Sequence, residues 1–434
     1  MLKNNFLWGT SFLVLCSQPL LGISLEEAIQ KALEANPNIL ADQFAQSSAK
    51  EGIGVARSTL FPSLDVQNRG GYDYVHTKSK SAFPYSISAH AHTSRRVNNA
   101  SVTLSQIIFD GFDTLYKIRE SESGFEQATQ QLGLTQEQVA FDVCRVFYTI
   151  QGEDDLIRIS QDSIKKHKEI LDMVKKRVKG GIGTRADVEQ VESRLKDAEV
   201  ALISSQAEKD KSIAEFISLV GVFPDKLVET PLPLDEIPAA LDEILEEVSH
   251  QNPSVKVALK QMDVASAQYE RSKAPFYPSI TFQSSASENI NPSGQRSKNG
   301  DVTAVGIVSY NIFSGGKNIS EKRAQQEHLS EVKQKVAAAR WATEKDTRLA
   351  WTDWKSSKER ILELNKAINI NKKLSDDYTI QFRLVDRNLL DILDAYNDYY
   401  RSQAAKANSV AQEKINAARL LFNISALVKA PDTE

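Results

Sequence analysis

Apolar and polar residues alternate with two different periods along this chain, and the switches between them mark its elements. From about Asp113 to Lys179, the apolar residues Phe125, Leu132, Val139 and Val146 stand seven apart. Val143, Ile150, Ile157, Ile164, Leu171 and Val178 form a second row of sevens. A heptad seam of this kind predicts one long helix packed as a coiled coil. At 1.5 Å of rise per residue, some 65 residues span about 100 Å, too tall for an ordinary globular core. A shorter helix is predicted from about Ser24 to Leu60, opened by a Ser24–Glu27 capping box and stopped by Pro62. Others are predicted over 235–273, 316–380 and 389–428. Two shorter helices stacked end to end would match the long one in length.

Between the helices the period falls to two. Leu64, Val66, Tyr72 and Tyr74 share one side of a predicted strand, and Asp65, Gln67 and Asp73 the other. After a Ser/His-rich stretch read as a polar loop comes a second strand, with Ala100, Val102 and Leu104 alternating with Ser101, Thr103 and Ser105. Ile280 and Phe282 precede a predicted loop from Asn289 to Asp301, and Val302, Ala304, Val308 and Tyr310 follow it. One face of each strand meets an apolar phase and the other meets water.

The pattern is written twice. Asn36-Pro37 and Phe61-Pro62-Ser63-Leu64 return as Asn252-Pro253 and Tyr277-Pro278-Ser279-Ile280, 216 positions on (252 minus 36). Ile108-Phe109-Asp110-Gly111 returns as Ile312-Phe313-Ser314-Gly315, 204 positions on (312 minus 108), as does Ala186-Asp187-Val188 at Leu390-Asp391-Ile392. The missing residues fall in a loop, so two copies of one structural unit are expected. The expected division is a leader over 1–24, a first repeat over 25–221, a linker over 222–234, a second repeat over 235–428 and a tail over 429–434.

Four strands with one apolar face would leave two raw sheet edges, which a membrane cannot satisfy. Several chains must then share one closed barrel. Three would supply twelve strands, alternating apolar outside and polar inside as outer-membrane barrels do.

Composition narrows the class. With 25% charged residues and a mean hydropathy of −0.36, the chain beyond its N-terminus offers no apolar run of the roughly 18 residues a spanning helix needs. Lys3 precedes an apolar run from Phe6 to Leu15, with Gly22 and Ser24 behind it, the layout of a secretory signal peptide. Cys16 would suggest lipidation, but Leu15 stands where a small residue is wanted. Cys144 is then the one cysteine left, so an intrachain disulfide is not expected. A net charge of −4 argues against nucleic acid.

The doubled helix-strand-strand-helix plan, the Phe-Pro-Ser-Leu and Tyr-Pro-Ser-Ile breakers, Ile312-Phe313-Ser314-Gly315-Gly316 and Leu390-Asp391-Ile392-Leu393-Asp394-Ala395 together resemble the TolC family of trimeric outer-membrane ducts. The resemblance implies an α+β membrane protein: a homotrimer whose twelve-stranded β-barrel, four strands per chain, continues as a long α-helical coiled-coil barrel through the periplasm. It implies a passive exit duct for type I protein secretion or multidrug efflux. Its partners would be outer-membrane lipid, a periplasmic adaptor (membrane fusion) protein and an inner-membrane ABC or proton-driven transporter that opens the tip. Asp391 and Asp394 match the acidic pair at the closed tip, and their i, i+3 spacing puts both carboxylates on one helix face. Arg387 and Asp187 match the cation and anion of a gating latch. Gly183 takes the place of Arg387 in the first half. Phe382 stands where relatives often carry a latch tyrosine. Without the resemblance, two aspartates in a first helical turn would merely complement the helix dipole.

Other residues carry no chemistry of their own. His90 and His92 lack an acidic or cysteine partner at metal-ligand spacing and are expected in solvent. Gly180-Gly181-Ile182-Gly183 ends a helix rather than cradling phosphate. Trp341, Trp351 and Trp354 are expected to pack. No catalytic arrangement stands out, so neither an enzyme nor a cofactor or metal site is expected. The alternative to a duct is a periplasmic coiled-coil adaptor or structural rod without a pore, which would not need the four alternating strands.

Overall fold

The computed structural model describes residues 22–80, 88–224, 226–228, 231–292, 296–384 and 387–428. Cys16, the rest of the leader up to residue 21 and the tail over 429–434 lie outside the described residues. The elements run β1 (Ile23–Ser24), α1 (Leu25–Ala35), α2 (Pro37–Ser58), β2 (Ser63–Lys80), β3 (Ser88–Phe109), α3 (Asp113–Lys179) and α4 (Arg185–Val220). There follow β4 (Leu227–Val228), α5 (Leu241–Gln251), α6 (Pro253–Arg271), β5 (Ser279–Ile290), β6 (Lys298–Ser309), α7 (Lys317–Arg383) and α8 (Leu389–Asn423). The heptad-patterned α3 and its later counterpart α7 are both 67 residues long.

Two expected helices are each broken. The segment read as one helix over 24–60 is α1 and α2, and that over 235–273 is mainly α5 and α6, with the interruption at Asn36-Pro37 and Asn252-Pro253. The residue before proline is driven out of the helical region, and both asparagines have extended ψ values, 124° and 128°. Their buried side chains replace the lost helical bonds. Asn36 accepts from Asn38 N at 3.0 Å and donates to Leu219 O at 3.2 Å. Asn252 accepts from Ser254 N and Val255 N at 3.0 and 3.3 Å. The dipeptides that flagged the doubled pattern are thus helix breaks.

The chain divides into two compact units. One comprises 41–135 and 249–344, and holds an antiparallel sheet in the order β2-β3-β5-β6. Its register lines up Val66, Val102, Ala286 and Val302 across all four strands, and Gln67, Ser101, Ser287 and Asp301 in the next row. Because side chains alternate faces, the first row is apolar and the second polar. Ser287 Oγ donates to Asp301 at 2.6 Å within the polar row. The apolar row is uncovered in the chain, with Val66 76% and Val302 82% exposed. Sheet edges β2 and β6 do not pair with each other among the described residues.

The strands outrun their apolar pattern. The ladder between β2 and β3 continues to Lys80↔Ser88, so His90 and His92 lie in β3 opposite Lys78 and His76, not in the expected loop. Similarly, β5 and β6 leave a connection of only 291–297 between them, and Tyr310 falls just beyond β6. Ladder bonds are made by main chain, so pairing persists where side-chain alternation fades. At the exit from β3, Gly111 has φ +69°, and a Cβ there would lie 2.5 Å from Ala274 O. Asp110 caps α3 by accepting from Thr114 N at 2.9 Å.

The other unit comprises residues up to 40, 136–248 and 345 onward. The heptad rows close unevenly. Val139, Val143, Val146, Ile150 and Leu171 are buried, while Ile157, Ile164 and Val178 are only partly covered. Cys144 is fully buried there, and burial pushes its thiol up to about 12. Phe141 meets Phe422 with ring centroids 5.8 Å apart. Arg419 grips Asp346 through two bonds of 2.8 Å. Burial alone would raise the Asp346 pKa, but Arg419 and Asn423 hold it below the usual carboxylate range. Trp351 and Trp354 pack at 5.4 Å. Trp341, in the sheet-bearing unit, is 76% exposed, so the packing expected of it is not made among the described residues.

Strand β1 pairs in parallel with β4 through Ile23↔Leu227 and Ser24↔Val228, and Ser24 forms the expected capping box with Glu27. Residues 23 and 24 therefore act in the fold. Chains beginning at Leu25 should be less stable than chains beginning at Gly22 by at least about 1 kcal/mol, the usual cost of a lost N-cap. Thermal melts of the two forms, followed by circular dichroism, check this.

Candidate functional site

The residues singled out by sequence gather at one end of the second unit, where two helix-turn-helix connections lie together. In the first, α3 ends at Lys179 and the chain turns through Gly181 at φ +77°. Thr184 caps α4, and Asp187 completes a capping box, accepting from Thr184 N at 2.8 Å while its own N–H donates to Thr184 Oγ1 at 3.2 Å. In the second, Asn388 caps α8 by accepting from Leu390 N at 3.4 Å. Beneath both turns lies a shared core in which Ile170, Val174, Val191, Phe382, Ile392 and Leu393 come from four helices. That core fixes the polar side chains above it.

Each acidic residue of the expected constriction has its own arginine. Asp391 receives Arg387 Nη1 at 3.3 Å, and Asp394 lies 3.5 Å from Arg194 Nη2. Arg387 also donates to Gln381 Oε1 at 2.8 Å and stacks 4.3 Å from the Tyr378 ring centroid. Among the described residues, no ion pair joins Arg387 to Asp187. The two line the same small cavity of about 130 Å³, together with Arg177 and Phe382. The geometry brings the residues expected to form a latch to one cavity without pairing them among the described residues.

Phe382 is buried, and its surroundings hold a contact the sequence reading missed. Arg177, in the last turn of α3, donates to the Phe382 carbonyl at 2.6 Å, and its guanidinium lies 4.0 Å from the Phe382 ring centroid. A cation at a helix C-terminus complements the dipole, but this one also ties α3 to α7. Arg194 was missed as well. Both sit in charged helical stretches, Lys175-Lys176-Arg177 and Glu192 to Lys196, where sequence offers no signal to separate a tying arginine from a solvated one. Nearby hydroxyls form a further tie, with Thr379 Oγ1 and Tyr396 Oη 3.1 Å apart.

One turn deeper, His167 is buried with Nδ1 2.8 Å from Ser163 O, an arrangement that requires the proton on Nδ1. It borders a cavity of about 210 Å³ also lined by Arg194 and Asp197 of α4 and by Tyr400 and Arg401 of α8. Burial lowers its pKa, and Arg194 lowers it further against the opposing pull of Ser163 O and Asp197. Neutral His167 is thus the form that suits the fold.

Arg177→Met should destabilise this end by about 1.5 to 3 kcal/mol, the range for a hydrogen bond to a charged donor, with Arg177→Lys intermediate because it keeps the charge but not the planar stack. Chemical denaturation midpoints check it. The lowered His167 pKa stabilises the fold above the unfolded value of about 6.5, and that contribution fades as pH falls toward the folded value. On acidification from about pH 7.5 to about 5.5, the wild type should therefore lose more melting temperature than His167→Gln, which has no such group to titrate.

Comparison with known proteins fits this architecture. The model of the family described as "Outer membrane efflux protein" matches residues 28–222 and 244–424. The chain is 21% identical to the outer membrane efflux protein BepC of Brucella suis over 393 residues, covering 90% of this chain and 83% of that one. It is 20% identical to the outer membrane protein TolC of Escherichia coli over 408 residues, covering 91% and 80%. Among solved structures, the outer membrane protein VceC of Vibrio cholerae superposes with a TM-score of 0.78 at 14% identity, covering 92% of this chain and 96% of that one. With a match spanning most of its length, the chain belongs to the outer membrane efflux protein family, and its place is the outer membrane.

Proposed function

We propose that three copies of this chain form a passive exit duct, the outer-membrane part of a tripartite export system. Its strands join into a twelve-stranded barrel, and its two repeats of long helices form a periplasmic coiled-coil barrel whose tip closes around Asp391 and Asp394. The observation that carries this reading is the four-stranded sheet, apolar on one exposed face and, among the described residues, unpaired at the outer edges of β2 and β6. Edges of that kind are stable in a bilayer only when closed by further strands. A rod or adaptor without a pore would have no use for such a sheet.

An inner-membrane transporter, ABC or proton-driven, and a periplasmic adaptor supply the energy and the opening signal. The family's description and the naming of BepC for efflux support an exit duct, for multidrug efflux or for type I protein secretion. At the tip, Arg387 and Asp187 border one cavity beside Phe382. Exchange of Arg387 from Asp391 to Asp187, within the chain or across a subunit boundary, would hold the closed state. Exposed pairs of this kind contribute only about 0.2 to 1 kcal/mol each, a latch weak enough for a docking partner to release.

The protein extracted in detergent should run as a trimer and insert into planar bilayers as a low-conductance channel. Arg387→Ser and Asp187→Ala should each raise single-channel conductance, and the double variant should be less than additive because both remove one interaction. A water-soluble monomer without channel activity would overturn the duct, whereas fully additive effects would overturn the latch alone.

A further inference from the structure

We propose that Arg194 determines the charge selectivity of the constriction. This rests on the reading of Asp391 and Asp394 as the pore-facing pair and adds a residue of the other repeat to it. Asp394, in α8, has its Oδ1 3.5 Å from Arg194 Nη2 of α4. Asp391 is matched by Arg387 of its own helix at 3.3 Å. The constriction is therefore a set of carboxylate–guanidinium pairs rather than a cluster of bare carboxylates.

The two pairs differ in a way that matters for permeation. Arg387 is held by Gln381 and by the Tyr378 ring in addition to Asp391. Among the described residues Arg194 has no such hold. Its second ionic neighbour is Asp197, at 3.9 Å one turn along the same helix, and it borders the cavity of about 210 Å³ that also holds His167, Tyr400 and Arg401. The guanidinium thus lies between two carboxylates with open space beside it. Facing Asp394 it cancels that charge; drawn toward Asp197 it leaves Asp394 bare. An ion passing within a Debye length, about 8 Å at physiological ionic strength, feels this difference directly. Rings of charged side chains set selectivity in narrow pores, so the position of Arg194 sets the sign and strength of the field beside Asp394.

The test is reversal potential and block by hexaamminecobalt(III) in planar bilayers, with trimer melting as a control for assembly. Arg194→Gln should raise the cation-to-anion permeability ratio by at least about fivefold, because the Boltzmann factor for unit charges about 4 Å apart in a water-like dielectric is about five and acts in opposite senses on cations and anions, and should tighten block by at least as much. Arg194→Lys, which keeps the charge, should stay near wild type. Asp394→Asn should shift selectivity toward anions, and adding Arg194→Gln to it should bring selectivity back. That pair of variants gives the same comparison should Arg194→Gln alone fail to assemble. If Asp391→Asn/Asp394→Asn alters selectivity and block but removing Arg194 does not, the role of Arg194 is overturned while the constriction stands. If the double asparagine variant changes neither property, the constriction lies elsewhere and both readings fall.

Discussion

Each buried main-chain N–H and C=O needs a hydrogen-bond partner, and both the sheet and the helix breaks of this chain answer to that need. In the sheet, β3 and β5 are paired on both sides, while β2 and β6 each present an open edge and a face rich in Leu64, Val66, Val302 and Val308. In water, such edges would invite uncontrolled pairing. In lipid, unpaired groups cost several kcal/mol each, so closure is the remaining solution. The proposed duct puts the sheet in the second setting. The same constraint governs the helix breaks. Each proline removes a donor, and the buried Asn36 and Asn252 side chains serve backbone groups around the interruption.

The helical end obeys a different physics. Its core of Ile392, Leu393, Val174 and Val191 is tightly buried, but the groups above it are partly exposed and held by pairs that water screens. Arg387–Asp391 and Arg194–Asp394 each have both partners substantially exposed, so neither is a strong clasp. The firm contact is Arg177 on the Phe382 carbonyl and ring. It needs no hydroxyl at position 382. The end thus combines a rigid apolar floor with a polar rim whose partners can be exchanged at small energetic cost.

How much of this was legible depended on the kind of interaction. The limits of α3 could be read because heptad spacing and the glycine-rich turn after Lys179 are local. The strand faces could be read because alternation survives in Val66, Val102, Ala286 and Val302. Helices α1 and α2 were read as one, although Asn36-Pro37 was in plain view, because a proline at a helix's first turn and a proline within a helix look alike until the asparagine's partners are known. The extension of β3 through His90 and His92 was missed because a ladder leaves no mark on side-chain composition.

The heptad-patterned helix, the apolar and polar faces of the strands and the family to which the chain belongs are all written in the residues alone. Each is written in residues close together or in motifs at fixed spacing. Tertiary structure alone decided which charges meet. Arg194 stands 200 residues before Asp394 (394 minus 194), and Arg177 stands 205 before Phe382. Their encounters depend on how α4 packs beside α8 and α3 beside α7. A salt bridge needs placement to within about 4 Å, which only the packed core beneath the turns provides.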